Sequence, residues 1–150
     1  MRTFAAAAIG AGLAAASILP AQAVTSHYLV VDSIWYLESE GSNNINQIGT
    51  SADAFAAISQ GGGWYRWEDD ATGQCLTFEG SGTPYYVYEA SCASYPAAES
   101  WNYTGSELIN EQASDNGQAY CMRSQSLTNG AFVVVGSCSG AAAEWSTPDS

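Results

Sequence analysis

Cys75 and Cys92 stand seventeen residues apart, and so do Cys121 and Cys138. Each pair is trailed by a tryptophan, Trp101 nine residues after Cys92 and Trp145 seven after Cys138. A cysteine interval and its trailing aromatic rarely recur together by chance, so the chain reads as copies of one unit. A unit of this size cannot bury its apolar face alone and has to close against its neighbours.

The first 23 residues stand apart from this pattern. Arg2 is followed by an apolar run from Phe4 to Leu19 and by the small-x-small triplet Ala21-Gln22-Ala23. That is the form of a secretory signal peptide. The rival reading, a membrane anchor, is disfavoured because the run is short for a span and rich in alanine. The expected product is a secreted, extracellular chain that starts near Val24 and has no membrane partner after cleavage. Residues 24–150 suit a single domain. In an exported chain, four cysteines argue for two disulfides. The matching intervals favour Cys75–Cys92 and Cys121–Cys138, each internal to one unit and each worth about 3 kcal/mol in the chain-entropy picture. Zinc is the weaker alternative, since there is no C-x-x-C and His27 is the single histidine. Neither a metal nor a cofactor is expected.

Charge narrows the partners. The chain has no lysine, and beyond the leader only Arg66 and Arg123 face fifteen carboxylates. Such a chain has too few cations to neutralise phosphates, which excludes nucleic acid. The low charged fraction and the abundance of Trp, Tyr and Gly point to a compact, turn-rich β protein.

Short β-branched or aromatic runs recur between turn residues: His27–Asp32, Ile34–Leu37, Trp64–Trp67, Gln74–Phe78, Pro84–Glu89, Leu108–Asn110, Tyr120–Arg123 and Phe132–Val135. Helical periodicity is nearly absent, and Ala52–Ser59 is expected as a short 3₁₀ piece or a strand. In the two cysteine units, Gln74-Cys75-Leu76 aligns with Tyr120-Cys121-Met122, and Tyr86-Val87-Tyr88 is set against Val133-Val134-Val135. Ser91-Cys92 aligns with Ser137-Cys138. A third copy is visible upstream, where YLESEGS from Tyr36 parallels CLTFEGS from Cys75. Tyr36 then replaces a cysteine, Ile45 and Ile48 fall on the next strand, and Ile58 falls near the tryptophan position. The alternative is an unrelated N-terminal arm. Three units of roughly forty residues, about 24–60, 61–104 and 105–150, can close a six-stranded barrel capped by three hairpins with few exposed edges. The predicted fold is therefore all-β, a β-trefoil with two intra-repeat disulfides.

The run from Cys75-Leu76 through Cys92 to Glu99-Ser100-Trp101, and that from Cys121-Met122 through Cys138 to Ala143-Glu144-Trp145, resembles the unit of the ricin B-type lectins, which ends in Gln-x-Trp. The likeness is clear over Trp64–Ser146 and faint over Tyr28–Ile58. It implies a non-catalytic carbohydrate-binding protein whose partner is a glycan or glycoprotein. The sugar-binding motifs depart from the family. Thr77, Arg123 and Glu38 stand where sugar-binding copies carry Asp. Ala90 and Gly136 stand where they carry an aromatic, and Glu99 and Ala143 replace the glutamine. The family's galactose pocket does not transfer to any unit as it stands.

A sugar site needs an apolar platform and planar hydroxyl acceptors. The middle unit supplies Tyr86 and Tyr88 on one strand face, with Tyr85 on the other. Glu79 lies across the hairpin and Glu99 near the closing tryptophan. Glu79, Tyr86, Tyr88 and Glu99 are the candidate sugar site, against the plainer reading of hairpin packing with solvated acids. Trp101 and Trp145 read as core plugs, while Trp64 and Trp67 point opposite ways. Glu68-Asp69-Asp70 invites a calcium hypothesis but reads better as a solvated turn. Gly61-Gly62-Gly63 lacks the Lys and helix of a phosphate loop and reads as a flexible connector. Asn102-Tyr103-Thr104 is an N-glycosylation sequon. A catalytic triad would have to use His27 from a mobile terminus, and the cysteines are committed to bridges, so no enzyme is expected. The other class open to a trefoil is a protease inhibitor or secreted protein-interaction domain. It would present the polar loops Glu38–Gln47 or Glu111–Ala119, which contain no basic residue.

Overall fold

The computed structural model describes residues 24–39, 45–78, 84–94, 96–114 and 118–149. The expected leader, Glu79, and the tips of both polar loops lie outside them. The strands are β1 (Ser26–Tyr28), β2 (Val30–Val31), β3 (Trp35–Glu38), β4 (Gln47–Gly49), β5 (Ala54–Gly61), β6 (Trp64–Asp69) and β7 (Gln74–Phe78). There follow β8 (Tyr85–Ser91), β9 (Trp101–Tyr103), β10 (Leu108–Asn110), β11 (Tyr120–Ser124), β12 (Ala131–Ser137) and β13 (Trp145–Ser146). One 3₁₀ turn, Ala141–Ala143, is the only helical element among the described residues.

The pairings spell a β-trefoil. β1 pairs with β5, β5 with β6, β6 with β9 and β9 with β10. β13 pairs with β2, and the Trp145 amide donates to the Ser106 carbonyl at 2.7 Å, so the ring closes. The hairpins β3–β4, β7–β8 and β11–β12 cap this barrel. They meet one another where β12 pairs with both β4 and β8, and where Ile45 bridges Tyr88. Closure uses up the sheet edges, which is why such short strands are stable together.

Registers show the pseudo-threefold in detail. Tyr36 faces Gly49, Cys75 faces Ala90 and Cys121 faces Gly136, so Tyr36 occupies the cysteine position of the first unit. Both disulfides form as the spacing predicts, each with its Cα atoms 5.0 Å apart and each tying a second strand to the turn after a third.

Two expected alignments need correction. Phe78 faces Val87 and Ser124 faces Val133, so Val87 is equivalent to Val133 and Tyr86-Val87-Tyr88 aligns with Phe132-Val133-Val134. The offset of one residue matters because side chains alternate, and a slip of one exchanges core for surface. Phe55 faces Asp69 as Trp101 faces Asn110, so Phe55 holds the tryptophan position of the first unit. Ile58 lies three residues farther along β5, opposite Arg66 and only half-buried.

The core runs down the barrel axis through Leu29, Leu37, Ile48, Phe55, Leu76, Val87, Trp101, Leu108, Met122, Val133 and Trp145. Trp101 and Trp145 are buried plugs, and their indole N–H groups donate to the carbonyls of Leu76 and Met122 at 2.9 and 2.8 Å. Trp67 is buried and Trp64 half-buried, in keeping with opposite faces. The stretch expected as a flexible connector, Gly61-Gly62-Gly63, is the turn of the β5–β6 hairpin. Its backbone takes φ of 63° and 87° at Gly62 and Gly63, a conformation that glycine adopts without strain. Among the described residues, no helix is long and apolar enough to cross a membrane.

Candidate functional site

The outer face of the three-hairpin cap carries the exposed Phe132 together with the half-buried Tyr86 and Tyr88. Directly paired residues share a sheet face, so Tyr86, Val134 and Arg123 form one row across β8, β12 and β11. Phe132, Gln47 and Glu38 form a second row across β12, β4 and β3. The corrected repeat alignment makes Ile45, Tyr86 and Phe132 equivalent positions around the pseudo-threefold axis. Tyr86 and Phe132 meet there edge to face, with ring centroids 5.5 Å apart and planes at 80°. Such a pair is worth about 0.5–1.5 kcal/mol beyond its buried area. Phe132 nevertheless leaves 39% of its surface to solvent. Tyr88 adjoins it through the Ile45 bridge, on the same face as Tyr86 and half-buried. Tyr85 points to the other face, where its ring lies 6.1 Å from that of Phe78.

The structure separates the four sequence candidates. Tyr86 and Tyr88 share the cap face. Glu99 is buried, 1% exposed, and accepts the Ala93 amide at 2.6 Å, holding a turn in which Ala93 takes φ of 66°. Glu79 lies outside the described residues. Sequence reasoning passed over Phe132 and Gln47 as site residues and named Arg123 only as a departure from the family's Asp. Phe132 had a visible signal: it stands six residues before Cys138, as Tyr86 stands six before Cys92.

Beneath the same cap lies a polar cluster where an apolar one would be expected. Glu89 is 2% exposed and faces Leu76; its repeat equivalents, facing Leu37 and Met122, are Ile48 and Val135. Asn46, 0% exposed, is the equivalent of Val87 and Val133. Its amide donates to Glu89 Oε1 at 3.0 Å, and the Thr72 hydroxyl donates to Oε2 at 3.3 Å. Burial pushes the Glu89 carboxyl above the usual glutamate range. The Asn46 hydrogen bond opposes this, the Asp69 charge adds to it, and hydrogen bonds from Ser39 and Thr72 oppose it. The turn expected to be solvated is only partly so. Asp69 is 1% exposed, and its Oδ1 accepts the amides of Ala71 and Thr72 at 2.6 and 2.9 Å. These carboxylates shape backbone and neighbouring side chains.

Two further groups bring an acid against sulfur, Glu68 with Cys75 and Cys92, and Glu107 with Cys121 and Cys138. Both cysteine pairs are oxidised, and a bridge sulfur is no thiolate ligand. His27 is not at a mobile end. It lies in β1, its Nδ1 is 3.1 Å from Asp149, and its ring stands edge-on to Trp67 at 6.0 Å.

No protein-family model and no curated protein matches the chain. Solved structures do match it by shape. A designed threefold-symmetric protein, ThreeFoil, superposes with a TM-score of 0.68 at 18% identity, over 83% of this chain and 99% of its own. A salivary protein from Culex quiquefasciatus, of the Cysteine and Tryptophan-Rich family, gives 0.67 at 16% identity, over 85% and 95%. The β-trefoil lectin of the Vibrio vulnificus hemolysin/cytolysin, solved with N-acetyl-D-lactosamine bound, gives 0.63 at 15% identity, over 85% and 96%. At these identities the likeness establishes the β-trefoil fold, which several families share.

Proposed function

We propose that the protein is a secreted, non-catalytic carbohydrate-binding trefoil of ricin B-like character that holds glycans on the outer face of its cap. The observation that carries this reading is the Tyr86–Phe132 pair at the pseudo-threefold axis, Phe132 exposed and Tyr86 half-buried, with Tyr88 and Gln47 beside it and Arg123 two strands away on the same face. Ring edges and faces stack against the C–H surface of a pyranose, while the flanking amide and guanidinium offer hydrogen bonds to its hydroxyls. The wall is built on paired strands, so little order has to be imposed on binding. A trefoil of the same shape carries a bound N-acetyl-D-lactosamine, which supports the class of ligand and leaves the sugar itself open. The weak match of the family's standard pocket positions fits a binding face assembled elsewhere on the scaffold.

The test is a glycan array followed by calorimetry on the best ligand. Phe132→Ala and Tyr86→Ala are expected to weaken binding by about tenfold or more each, about 1.4 kcal/mol, with the thermal transition still cooperative. A silent array, joined to stoichiometric inhibition of an extracellular protease, would replace this reading by the inhibitor one. Turnover of an oligosaccharide by the pure protein would make it an enzyme.

A further inference from the structure

On the premise of that platform, we infer that its ligand is an acidic sugar, a pyranose bearing a carboxylate, and that Arg123 is the residue that selects it. The chain has fifteen carboxylates and, beyond the leader, two arginines. In such a molecule a guanidinium finds an acidic partner easily, yet Arg123 makes no ion pair among the described residues. Its Nη1 donates to the carbonyl and hydroxyl of Ser137, at 3.2 and 2.9 Å, both neutral acceptors. Glu107, whose carboxylate sits beside the Cys121–Cys138 sulfurs, forms no ion pair with it either.

Its posture is set by the strand beside it. Gly136 has no side chain, and a Cβ there would come within 3.0 Å of Arg123 Cδ. The aliphatic stem lies across that bare position and carries the guanidinium to Ser137, half-buried and held in place. A planar fork fixed in this way suits a carboxylate, which it can engage through two parallel N–H bonds. In the row Arg123–Val134–Tyr86, which spans two strand intervals, about 10 Å at the backbone, Val134 is buried and the guanidinium reaches past it to Ser137, so the ligand has to be at least a disaccharide whose other ring rests on the aromatic pair. The net charge of −12 does not oppose this. Charges beyond the screening length, about 8 Å in physiological salt, are largely damped, and the adjacent guanidinium dominates a single carboxylate.

The experiment compares a hexuronate-containing disaccharide and a sialylated trisaccharide with their carboxyl-reduced neutral counterparts, by calorimetry on the intact protein. The wild type is expected to prefer at least one acid form over its neutral counterpart by about tenfold, or about 1.4 kcal/mol. Arg123→Gln is expected to erase that preference, weakening the acid form about tenfold more than the neutral one. Arg123→Lys, which keeps the charge without the fork, should retain only part of it. Equal binding of acid and neutral forms, with both weakened by Tyr86→Ala, would overturn the role of Arg123 and leave the platform standing. Absence of binding by every form would overturn both.

Discussion

Glu89 is the residue least at home in its position. Its two repeat equivalents are Ile48 and Val135, yet a carboxyl sits there at 2% exposure, answered by Asn46 where the other units have valine. The two polar substitutions compensate each other. Asn46→Val alone leaves Glu89 Oε1 without its donor and is expected to cost about 1–3 kcal/mol. Asn46→Val with Glu89→Val restores the apolar pattern of the other units and should recover that loss or exceed wild-type stability at neutral pH, a reversal readable in a double-mutant cycle. The pH dependence follows from the same burial. Groups facing Glu89 are Asn46, Ser39, Thr72 and the Asp69 carboxylate, and its native pKa is raised above the ordinary 4.5. The native state then holds more protons than the unfolded chain between 4.5 and that raised value. Its contribution to stability is full below this window and is lost as pH rises through it. Urea midpoints measured from pH 4 to 8 should fall less with pH in Glu89→Gln than in the wild type, and identical slopes would refute this assignment.

At the scale of elements, the cysteine interval and the closing tryptophans were legible in the sequence because they are rare residues at repeated spacing. What was not legible was the register of the third strand in the last unit. Val133-Val134-Val135 is three alike residues, and nothing in a valine tells which face it takes; the distance back from Cys138 does. That shift of one hid Phe132 and, with it, half of the aromatic pair on the cap. The tryptophan position of the first unit was misplaced for a related reason. Phe55 fills it with another aromatic but without the indole N–H. Trp101 and Trp145 each send that N–H to a second-strand carbonyl, Leu76 or Met122. Trp101→Phe and Trp145→Phe are therefore expected to cost about 1–3 kcal/mol by leaving a buried carbonyl unpaired, with the lost volume adding to it. Denaturant unfolding of the two variants would show this as lower midpoints at unchanged m. A cost near zero in both would mean that the indole bonds are replaced by rearrangement, and that Phe55 marks no deficit in the first unit.

For the molecule as a whole, composition showed the sign of the field but not where its few exceptions lie. Fifteen acids against two arginines beyond the leader predict self-repulsion, and only the strand pairings reveal that Arg123 lies on the cap face, where it bonds Ser137 and makes no ion pair among the described residues. Threefold closure was legible because every level agreed on it: repeat length, turn chemistry and bridge spacing. The candidate site was only half legible, because a surface shared by three hairpins belongs to no one segment of sequence. The field itself has a consequence that separates it from Glu89. The excess of acids, a net charge of −12 at pH 7 over the full chain with every carboxylate beyond the leader, opposes folding of a small barrel through the sum of many weak repulsions. Raising sodium chloride from about 0.01 to 0.15 M shortens the screening length from roughly 30 to 8 Å. It should lift the melting temperature at pH 7 by several degrees, about 1 kcal/mol for a domain of this size. The same salt step at pH 4, where many surface carboxyls bind protons, should give a smaller rise. Glu89→Gln removes one buried group out of fifteen and should keep nearly all of the salt effect while losing its share of the pH effect. If added salt left the melting temperature unchanged at pH 7, the acidic surface would have to be arranged so that its repulsions cancel locally, and net charge would carry no weight in the stability of this fold.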